Sequence, residues 1–235
     1  MQKTSTGSQV FDALLNGGFE KEVITTVYGP AGSGKSNVAM VATASVIKQG
    51  KSVIYVDTEG GFSTERMKQL LPVEYEKIMQ NIILLAPTNF EEQKKHFAKL
   101  NDAANADRVG LIIIDSITML YRLEKGSDEE IRTTNKELAK QLSQLSEVAR
   151  KKNIPILVTN QVYADFKHEN NFKMVGGDLL KYWSKAIIKL ESENAHRKAT
   201  IIKHRSIPDG KYIRFEIADK GLYEYTPRKK FSLFQ

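Results

Sequence analysis

The chain has 235 residues, of which 41% are hydrophobic and 27% are charged, a composition typical of globular domains and unlike that of disordered or fibrous proteins. It has no cysteine, no apolar run of membrane-spanning length and no apolar secretory signal, so we expect a cytoplasmic protein without disulfides, thiolate metal sites or a membrane partner. The formal net charge of +7 favours polyanionic partners, nucleic acid above all, although it also serves solubility alone.

Short β-rich apolar segments alternate with longer segments of helical periodicity. Strands are predicted at 23–28, 53–57, 82–85, 109–115 and 154–159, and helices at 35–48, 64–71, 90–104 and 131–151. This alternation predicts a mostly parallel sheet with helices on both faces. Three close-spaced segments, 186–190, 199–203 and 212–217, predict antiparallel strands that extend the sheet. We expect a single domain over 1–227, followed by a basic tail at 228–235.

Two segments fit neither a strand nor a helix, namely 121–135 and 163–177. Both directly follow a predicted buried strand. Ligands bind at the carboxyl ends of strands in open α/β sheets, so these segments are candidate functional loops.

Eight consecutive residues match the phosphate-binding pattern G-x-x-x-x-G-K-[ST] between a predicted strand and a predicted helix. They are Gly29, Pro30, Ala31, Gly32, Ser33, Gly34, Lys35 and Ser36, and Asn37 follows them in the helix as a further nucleotide contact. Glycines let the backbone curl so that several N–H groups point at phosphate oxygens, and the helix adds its positive end. We therefore expect an ATP site in which Lys35 reaches the β- and γ-phosphates.

A magnesium site is predicted next to the phosphates. Ser36 offers a hydroxyl to Mg²⁺ in this pattern. Asp115 ends a continuous apolar segment, and a carboxylate there can hold Mg²⁺ through a bound water. The alternative for Asp115 is a structural or capping role.

Two more polar residues follow predicted strands at the same edge of the sheet. Glu59 comes after the strand 53–57, where a carboxylate can orient and deprotonate an attacking water, unless it is an ordinary solvated glutamate. Gln161 comes after the strand 154–159, where its amide can contact the γ-phosphate and pass that contact to the loop behind it. The alternative is a polar strand terminus. We predict that Lys35, Glu59 and Gln161 carry the chemistry.

The P-loop, Glu59, Asp115 and Gln161, in this order and spacing, make the sequence resemble the RecA/RadA recombinase superfamily over nearly the whole chain. The resemblance is carried by the segments 6–19, 56–66, 115–116, 160–162 and 176–184. It implies a RecA-like P-loop ATPase core, a mostly parallel central sheet flanked by helices, with C-terminal antiparallel strands. Only 28 residues precede Gly29, so we expect the helical N-terminal domain and docking linker of full recombinases to be absent, as in the short archaeal RadB branch.

The resemblance also implies roles for single residues. Glu59 would be the hydrolytic base, Gln161 the sensor of the γ-phosphate, and Arg66 would lie against the adenine. Lys203 and Arg205 resemble a K-x-R element that, in ring-forming relatives, reaches the nucleotide of a neighbouring subunit. The alternative for these two cations is a basic strand on a solvated face.

DNA contact is expected at the two candidate loops. The first is locally acidic, which counts against tight phosphate contact. The second offers Phe166 and Phe172 for base stacking and Lys167 and Lys173 for phosphates, unless it is a plain surface loop. The resemblance implies DNA as partner, single-stranded rather than double-stranded, a recombinase or junction nuclease as possible protein partner, and a monomer or small homo-oligomer rather than a filament.

The resemblance thus implies an ATP-binding, DNA-binding accessory protein of homologous recombination and DNA repair, with a weak, DNA-dependent ATPase activity and Mg²⁺ as cofactor. One alternative is an ATP-switched module that recruits a recombinase or nuclease with negligible turnover. A second is a KaiC-like ring ATPase, which shares the core. A small-molecule P-loop kinase fits less well, because the chain lacks an arginine-rich lid segment.

Overall fold

The protein folds around one large sheet that has helices on both faces. The computed structural model describes residues 2–72, 75–104, 108–121, 128–164, 172–194 and 196–227. The strands are β1 Lys3–Thr4, β2 Phe19–Glu20, β3 Ile24–Tyr28, β4 Ser52–Asp57, β5 Ile82–Leu85, β6 Val109–Asp115, β7 Ile156–Asn160, β8 Val162–Ala164, β9 Phe172–Met174, β10 Ser184–Glu193, β11 His196–Lys203, β12 Tyr212–Ala218 and β13 Gly221–Glu224. The helices are α1 Gln9–Leu14, α2 Lys35–Lys48, α3 Thr64–Leu70, α4 Tyr75–Met79, α5 Phe90–Ala103, α6 Asp128–Lys152 and α7 Gly177–Trp183.

The central sheet has nine strands in the order β13-β12-β11-β10-β3-β7-β6-β4-β5. Strands β10 to β5 run parallel to one another, and β10 to β13 are joined as antiparallel neighbours. This arrangement confirms the predicted fold class, including the C-terminal strands that extend the sheet.

Strand β6 shows why the sheet sits in the middle of the molecule. Leu111 and Ile113 point into one hydrophobic core, which also holds the buried face of α2. Ile112 and Ile114 point into the other core, against α6. A strand buried on both faces reads as a continuous apolar run, which is why its position was predictable. The stripe of Leu138, Leu142, Leu145 and Val148 on α6 is buried as expected.

Two lysines anchor the end of α1. Lys3 Nζ lies 2.7 Å from the carbonyl oxygen of Leu15, and Lys211 Nζ lies 3.2 Å from that of Leu14. Lysines satisfy the free carbonyls at helix carboxyl ends. Because Lys211 precedes β12, these bonds fasten the N-terminal segment to the antiparallel part of the sheet.

The two candidate loops are less irregular than predicted, so those expectations were wrong in part. Helix α6 begins at Asp128, inside the range 121–135, because its first turns are polar and hide the helical period. Inside the range 163–177, the short strands β8 and β9 pair antiparallel, and α7 begins at Gly177. The tail 228–235, expected as a basic extension, lies outside the described residues. Within the described ranges, no helix is both long and apolar enough to cross a bilayer.

Candidate nucleotide site

Four adjacent parallel strands bring the predicted site together. In the sheet, β3 pairs with β7, β7 with β6, and β6 with β4. Their carboxyl ends therefore lie side by side, at one edge of the sheet. The P-loop follows β3, Gln161 follows β7, Asp115 ends β6 and Glu59 follows β4. The sheet order thus explains how residues far apart in sequence meet.

The P-loop backbone needs its glycines. Gly34 has φ of 103° at the amino end of α2, a conformation that side chains other than glycine rarely adopt. At Gly29, an added Cβ would lie 2.3 Å from the carbonyl oxygen of Leu190. Lys35 folds over this loop, with Nζ 3.0 Å from the carbonyl oxygens of both Gly29 and Pro30.

The Lys35 ammonium is held in a low-polarity setting. Only 8% of the residue is exposed, and burial lowers the pKa of Lys35, while the charges of Glu59 and Asp115 oppose that shift. Burial removes the ammonium from water, so an anion placed beside it gains more than it would at the surface. The lysine is therefore poised for a phosphate.

Asp115 is held by two hydroxyl groups and has a third nearby. Tyr55 Oη donates to Oδ2 over 2.8 Å, and Thr159 Oγ1 donates to Oδ1. The Ser36 hydroxyl lies close enough to lower the pKa of the carboxyl as well. Burial raises the pKa of Asp115, and the three hydroxyls counteract that rise. The structure therefore joins the two predicted magnesium residues, Ser36 and Asp115, as neighbours.

Asp57 organises the loop that carries Glu59. Its Oδ1 accepts the backbone N–H groups of Glu59 and Gly61, each at 3.1 Å. Its Oδ2 accepts the N–H of Phe62 at 2.9 Å. A carboxylate that accepts several backbone N–H groups ties the turn to one conformation, so Asp57 sets the position of Glu59.

The Glu59 carboxylate has two partners from neighbouring strands. Ser116 Oγ donates to Oε1 over 2.5 Å. Gln161 Nε2 lies 2.8 Å from Oε1 and 2.8 Å from Oε2. The predicted base and the predicted sensor are thus in direct contact.

Gln161 is linked through its backbone to the segment before α7. The N–H of Val175 donates to the carbonyl oxygen of Gln161 over 3.3 Å. Beside it, Asn160 Nδ2 donates to the carbonyl oxygen of Val175 over 2.9 Å, and Asn160 Oδ1 accepts from Thr118. A movement at Gln161 would therefore reach β9 and α7.

Arg66 lies in α3 and contacts the turn between β12 and β13. Its two terminal nitrogens lie 2.8 Å and 3.0 Å from the carbonyl oxygens of Ala218 and Asp219. Its Nε is buried with no hydrogen-bond partner among the described atoms, and burial lowers the pKa of Arg66. The role at the adenine stays a prediction.

Lys203 and Arg205 make contacts within the chain. Lys203 Nζ lies 2.5 Å from the carbonyl oxygen of Lys181 and 2.9 Å from that of Ser184, at the carboxyl end of α7. An Nη of Arg205 lies 2.7 Å from the Glu20 carboxylate, whose side chain is only 5% exposed. The structure therefore keeps both cations away from the P-loop of their own chain.

The structure describes the backbone of only two of the four predicted DNA-contacting residues. Phe172 and Lys173 lie in β9, whose backbone pairs with β8. Phe166 and Lys167 lie outside the described residues. The role of all four stays a prediction.

Sequence reasoning missed several residues of this site. Tyr55, Asp57, Ser116 and Thr159 hold the predicted residues in place. A tyrosine inside the apolar strand β4 was a usable signal, because a buried phenol needs a hydrogen-bond partner. Arg197, whose Nε lies 3.4 Å from the carbonyl oxygen of Gly32, had no such signal, since only strand pairing brings it to the P-loop.

The residues present fit a magnesium–triphosphate group. Ser33 Oγ is buried without a partner among the described atoms, beside the desolvated Lys35. Ser36 and Asp115 offer hard oxygen ligands, as Mg²⁺ prefers. No group of three or more His, Cys, Asp or Glu side chains that could hold a metal occurs in the described part of the chain.

A glycine-rich turn joins β3 to α2 in a mostly parallel sheet, and Asp115 ends the nearby strand β6. Together these features define a RecA-like P-loop protein. The family model for Rad51 matches residues 1–225. The chain therefore belongs to the Rad51 family.

Relatives of similar length match nearly the whole chain. The DNA repair and recombination protein RadB of Methanococcus maripaludis strain C7 is 46% identical over 214 residues, which are 91% of this chain and 97% of that protein. The protein of the same name from Methanobrevibacter smithii is 42% identical over 94% of this chain and 95% of its own. A crystal structure of the RadB recombinase superposes with a TM-score of 0.81 at 36% identity, covering 95% of this chain and 100% of that one.

Proposed function

We propose that this chain binds ATP with Mg²⁺, binds DNA, and hydrolyses ATP slowly as an accessory protein of homologous recombination and repair. The observation that carries it is the contact of Gln161 with Glu59 beside a buried Lys35 and a fixed Asp115. Relatives that match over most of their length are named DNA repair and recombination proteins.

The chain's residues have separable roles in this proposal. The backbone N–H groups of residues 29–36, with Lys35 and Asn37, hold the triphosphate, and Ser36 with Asp115 holds the metal ion. Bound Mg²⁺ supplies charge neutralisation at the phosphate oxygens. Glu59 orients water and accepts its proton. Arg66 lies against the adenine.

The same contacts support an ATP-dependent change at the DNA-facing segment. When Gln161 turns from Glu59 to a γ-phosphate, its backbone bond to Val175 carries the change into β9 and α7. Phe172 and Lys173 of β9, with Phe166 and Lys167, would then contact single-stranded DNA by stacking and by charge.

We also propose a protein partner and an assembly state for this chain. A recombinase or a junction nuclease is the protein partner we propose, with the chain as a monomer or small homo-oligomer. A role of Lys203 and Arg205 at the nucleotide of a neighbouring subunit requires release of Lys203 from Lys181 and Ser184, and of Arg205 from Glu20.

Replacing Glu59 with Gln tests the enzymatic role. We expect turnover, measured as phosphate release with and without single-stranded DNA, to fall to background, while calorimetry shows ATP binding close to wild type. Lys35→Ala should abolish both. Glu216→Gln, an exposed carboxylate of β12, is the matched control and should change neither. Full turnover in Glu59→Gln would contradict the assigned base.

A second candidate is an ATP-switched recruitment module with negligible turnover. It is favoured by the hydrogen bonds that both oxygens of Glu59 accept, since such bonds stabilise the carboxylate form and make it a weaker base. Cellular repair that survives Glu59→Gln but not Lys35→Ala would favour this reading. Hexamers in a native mass measurement would instead favour a KaiC-like ring ATPase.

A further inference from the structure

We propose that the end of the sheet opposite the P-loop is a separate binding surface for double-stranded DNA. It goes beyond the proposed function, which places DNA at the carboxyl ends of the strands. We call this surface the amino-end patch, because it surrounds the amino ends of β3, β7, β6 and β4 and the carboxyl ends of α2 and α6. Its cations are Lys21, Lys48, Lys51, Arg108, Arg150, Lys151 and Lys152.

Backbone and side-chain contacts bring these cations to one surface. The N–H of Ser52 donates to the carbonyl oxygen of Arg108 over 2.6 Å, so Lys51 and Arg108 are neighbours. On the other side, Lys21 Nζ and Asn153 Nδ2 share Gln2 Oε1 at 3.0 Å and 3.4 Å. Asn153 follows directly on Lys152, so α6 ends next to Lys21. Helix α2 ends at Lys48, three residues before Lys51.

Most of these charges are not used within the molecule. In the described structure, no hydrogen bond or ion pair is formed by the side chains of Lys48, Arg108, Arg150 or Lys152. Lys151 pairs with Glu147 at 2.5 Å, but both side chains are more than half exposed, and such pairs contribute little stability. The patch therefore offers charge that the fold does not need.

Capping of helix ends does not account for the cations. Backbone N–H groups already satisfy carbonyls in the last turn of both helices. Gly50 and Lys51 donate to Ile47 and Val46 at the end of α2, and Ile154 donates to Ala149 at the end of α6. A favourable helix-dipole interaction still applies, yet it needs only a cation or two in each last turn.

The amino-end patch carries mainly positive charge. Among the described residues at this end, the exposed carboxylates are Glu22, Asp102 and Glu147, three against seven cations, while Glu20 is buried against Arg205. The whole chain has 28 carboxylates against 35 cations, a ratio far less one-sided than that of the patch. A surface of this kind attracts a polyanion and releases its counterions.

Double-stranded DNA fits the patch better than single-stranded nucleic acid does. The exposed large hydrophobic side chains of the described structure, Ile83, Leu84, Ile131, Tyr182, Tyr212 and Tyr223, all lie outside the patch. Single-strand binding relies on stacking of bases on such side chains, whereas a duplex offers phosphates with its bases enclosed. Four adjacent strands span about 14 Å, close to the width of about 12 Å of a major groove.

The test compares two triple variants of the full chain. In the patch variant, Lys48→Ala, Arg108→Ala and Lys152→Ala remove three unpaired cations. We expect about tenfold weaker binding to a blunt duplex in fluorescence anisotropy. The slope of log affinity against log salt concentration should become less negative by about 2 to 3. Affinities for ATP and for single-stranded DNA should change less than about twofold, since the P-loop lies at the other end of the strands.

The control variant carries Lys68→Ala, Lys95→Ala and Lys140→Ala, three exposed lysines away from the patch. It should keep the duplex affinity and the salt slope of the wild type, and thermal unfolding should show both variants folded. An unchanged slope in the patch variant, or an equal loss in the control, would overturn the assignment. Equal competition by polyglutamate would point to an acidic protein instead. Lys35→Ala should keep duplex binding, so failure of the ATP site is distinguishable.

Discussion

The amide of Gln161 donates to both carboxylate oxygens of Glu59, with Nε2 2.8 Å from each. The two residues follow β7 and β4, which are separated by β6 in the sheet. The two oxygens of one carboxylate lie too close together for the two diverging N–H groups of an amide to point at one each, so one N–H is shared between them. Gln161 has to turn away from Glu59 to point that N–H at a phosphate, and the exchange would couple the base to the loop.

Gln161→Ala removes the coupling but not the P-loop. We expect ATP affinity within about threefold of wild type, because the glycine backbone and Lys35 are untouched. The ATP-dependent change in affinity for single-stranded DNA should disappear, as measured by anisotropy with and without nucleotide. Gln49→Ala, an exposed amide just after α2, is the control. A retained nucleotide effect in Gln161→Ala would show that the signal takes another route.

Tyr55→Phe tests how Asp115 is oriented. The substitution deletes the hydroxyl that donates to Oδ2 over 2.8 Å, and it leaves a buried carboxylate oxygen without that donor. We expect a loss of about 1 to 3 kcal/mol in the free energy of unfolding. More Mg²⁺ should be needed for half-maximal ATP binding, because the pKa of Asp115 rises further when a donor is lost. Tyr212→Phe, at an exposed tyrosine, should alter neither the denaturation midpoint nor the magnesium titration.

Asp57→Ala should disorder the turn that carries Glu59. The carboxylate accepts three backbone N–H groups, from Glu59, Gly61 and Phe62. We expect kcat for ATP to fall at least about tenfold with little change in KM, since Glu59 acts on the reacting water and not in nucleotide binding. Asp57→Asn keeps one acceptor oxygen and should retain part of the rate. A purely structural role would instead lower Tm in both variants and leave kcat of the folded protein unchanged.

The fold and the proximity of the candidate site residues were predictable because local signals agreed. The buried strand β6, the glycine-rich turn and the stripe on α6 each carry their own pattern, and parallel strands place their carboxyl ends together. Glu59 and Gln161 follow such strands and Asp115 ends one, so their proximity followed from the predicted sheet.

Residues that act through distant partners were not predictable. Glu20 and Arg205 are far apart in sequence, and only the packing of the N-terminal segment on the loop after β11 joins them. The Thr159 hydroxyl beside Asp115 was missed for the same reason, since Thr159 reads as an ordinary strand residue, whereas Tyr55 did offer the signal of a buried phenol. The polar first turns of α6 hid their period, because helix formation there depends on propensity and tertiary contacts more than on an apolar stripe.

Arg205→Ala should destabilise the isolated chain. The change leaves Glu20, whose side chain is 5% exposed, without its closest cation, and an uncompensated buried carboxylate is costly. We expect a loss of about 1 to 3 kcal/mol in the free energy of unfolding by urea denaturation. Glu20→Gln in the same chain should restore part of it. Arg214→Ala, which breaks the more exposed pair with Glu193, should cost less than about 1 kcal/mol. A loss that appears only at high protein concentration would instead indicate a role between subunits.

The stability of the same region should depend on pH through His204. Its side chain is 1% exposed, its Nδ1 accepts the N–H of Ser206 at 3.1 Å, and its Nε2 lies 3.9 Å from Glu20. Burial lowers the pKa of His204 below its ordinary value of 6.5. The Glu20 charge opposes that shift, and the charges of Lys3, Arg205 and Lys211 add to it.

The folded chain favours neutral His204. The contribution of His204 to the free energy of unfolding is therefore complete above the unfolded pKa of about 6.5. As the pH falls below that value, the unfolded chain takes up a proton more readily than the folded chain does, and the contribution is lost. We expect the Tm of the wild type to fall more steeply between neutral and mildly acidic pH than that of His204→Gln. The difference in Tm between the two proteins should therefore narrow. His96→Gln, on α5 far from this cluster, is the matched control, and parallel Tm curves for wild type and His204→Gln would show that His204 does not titrate in this way.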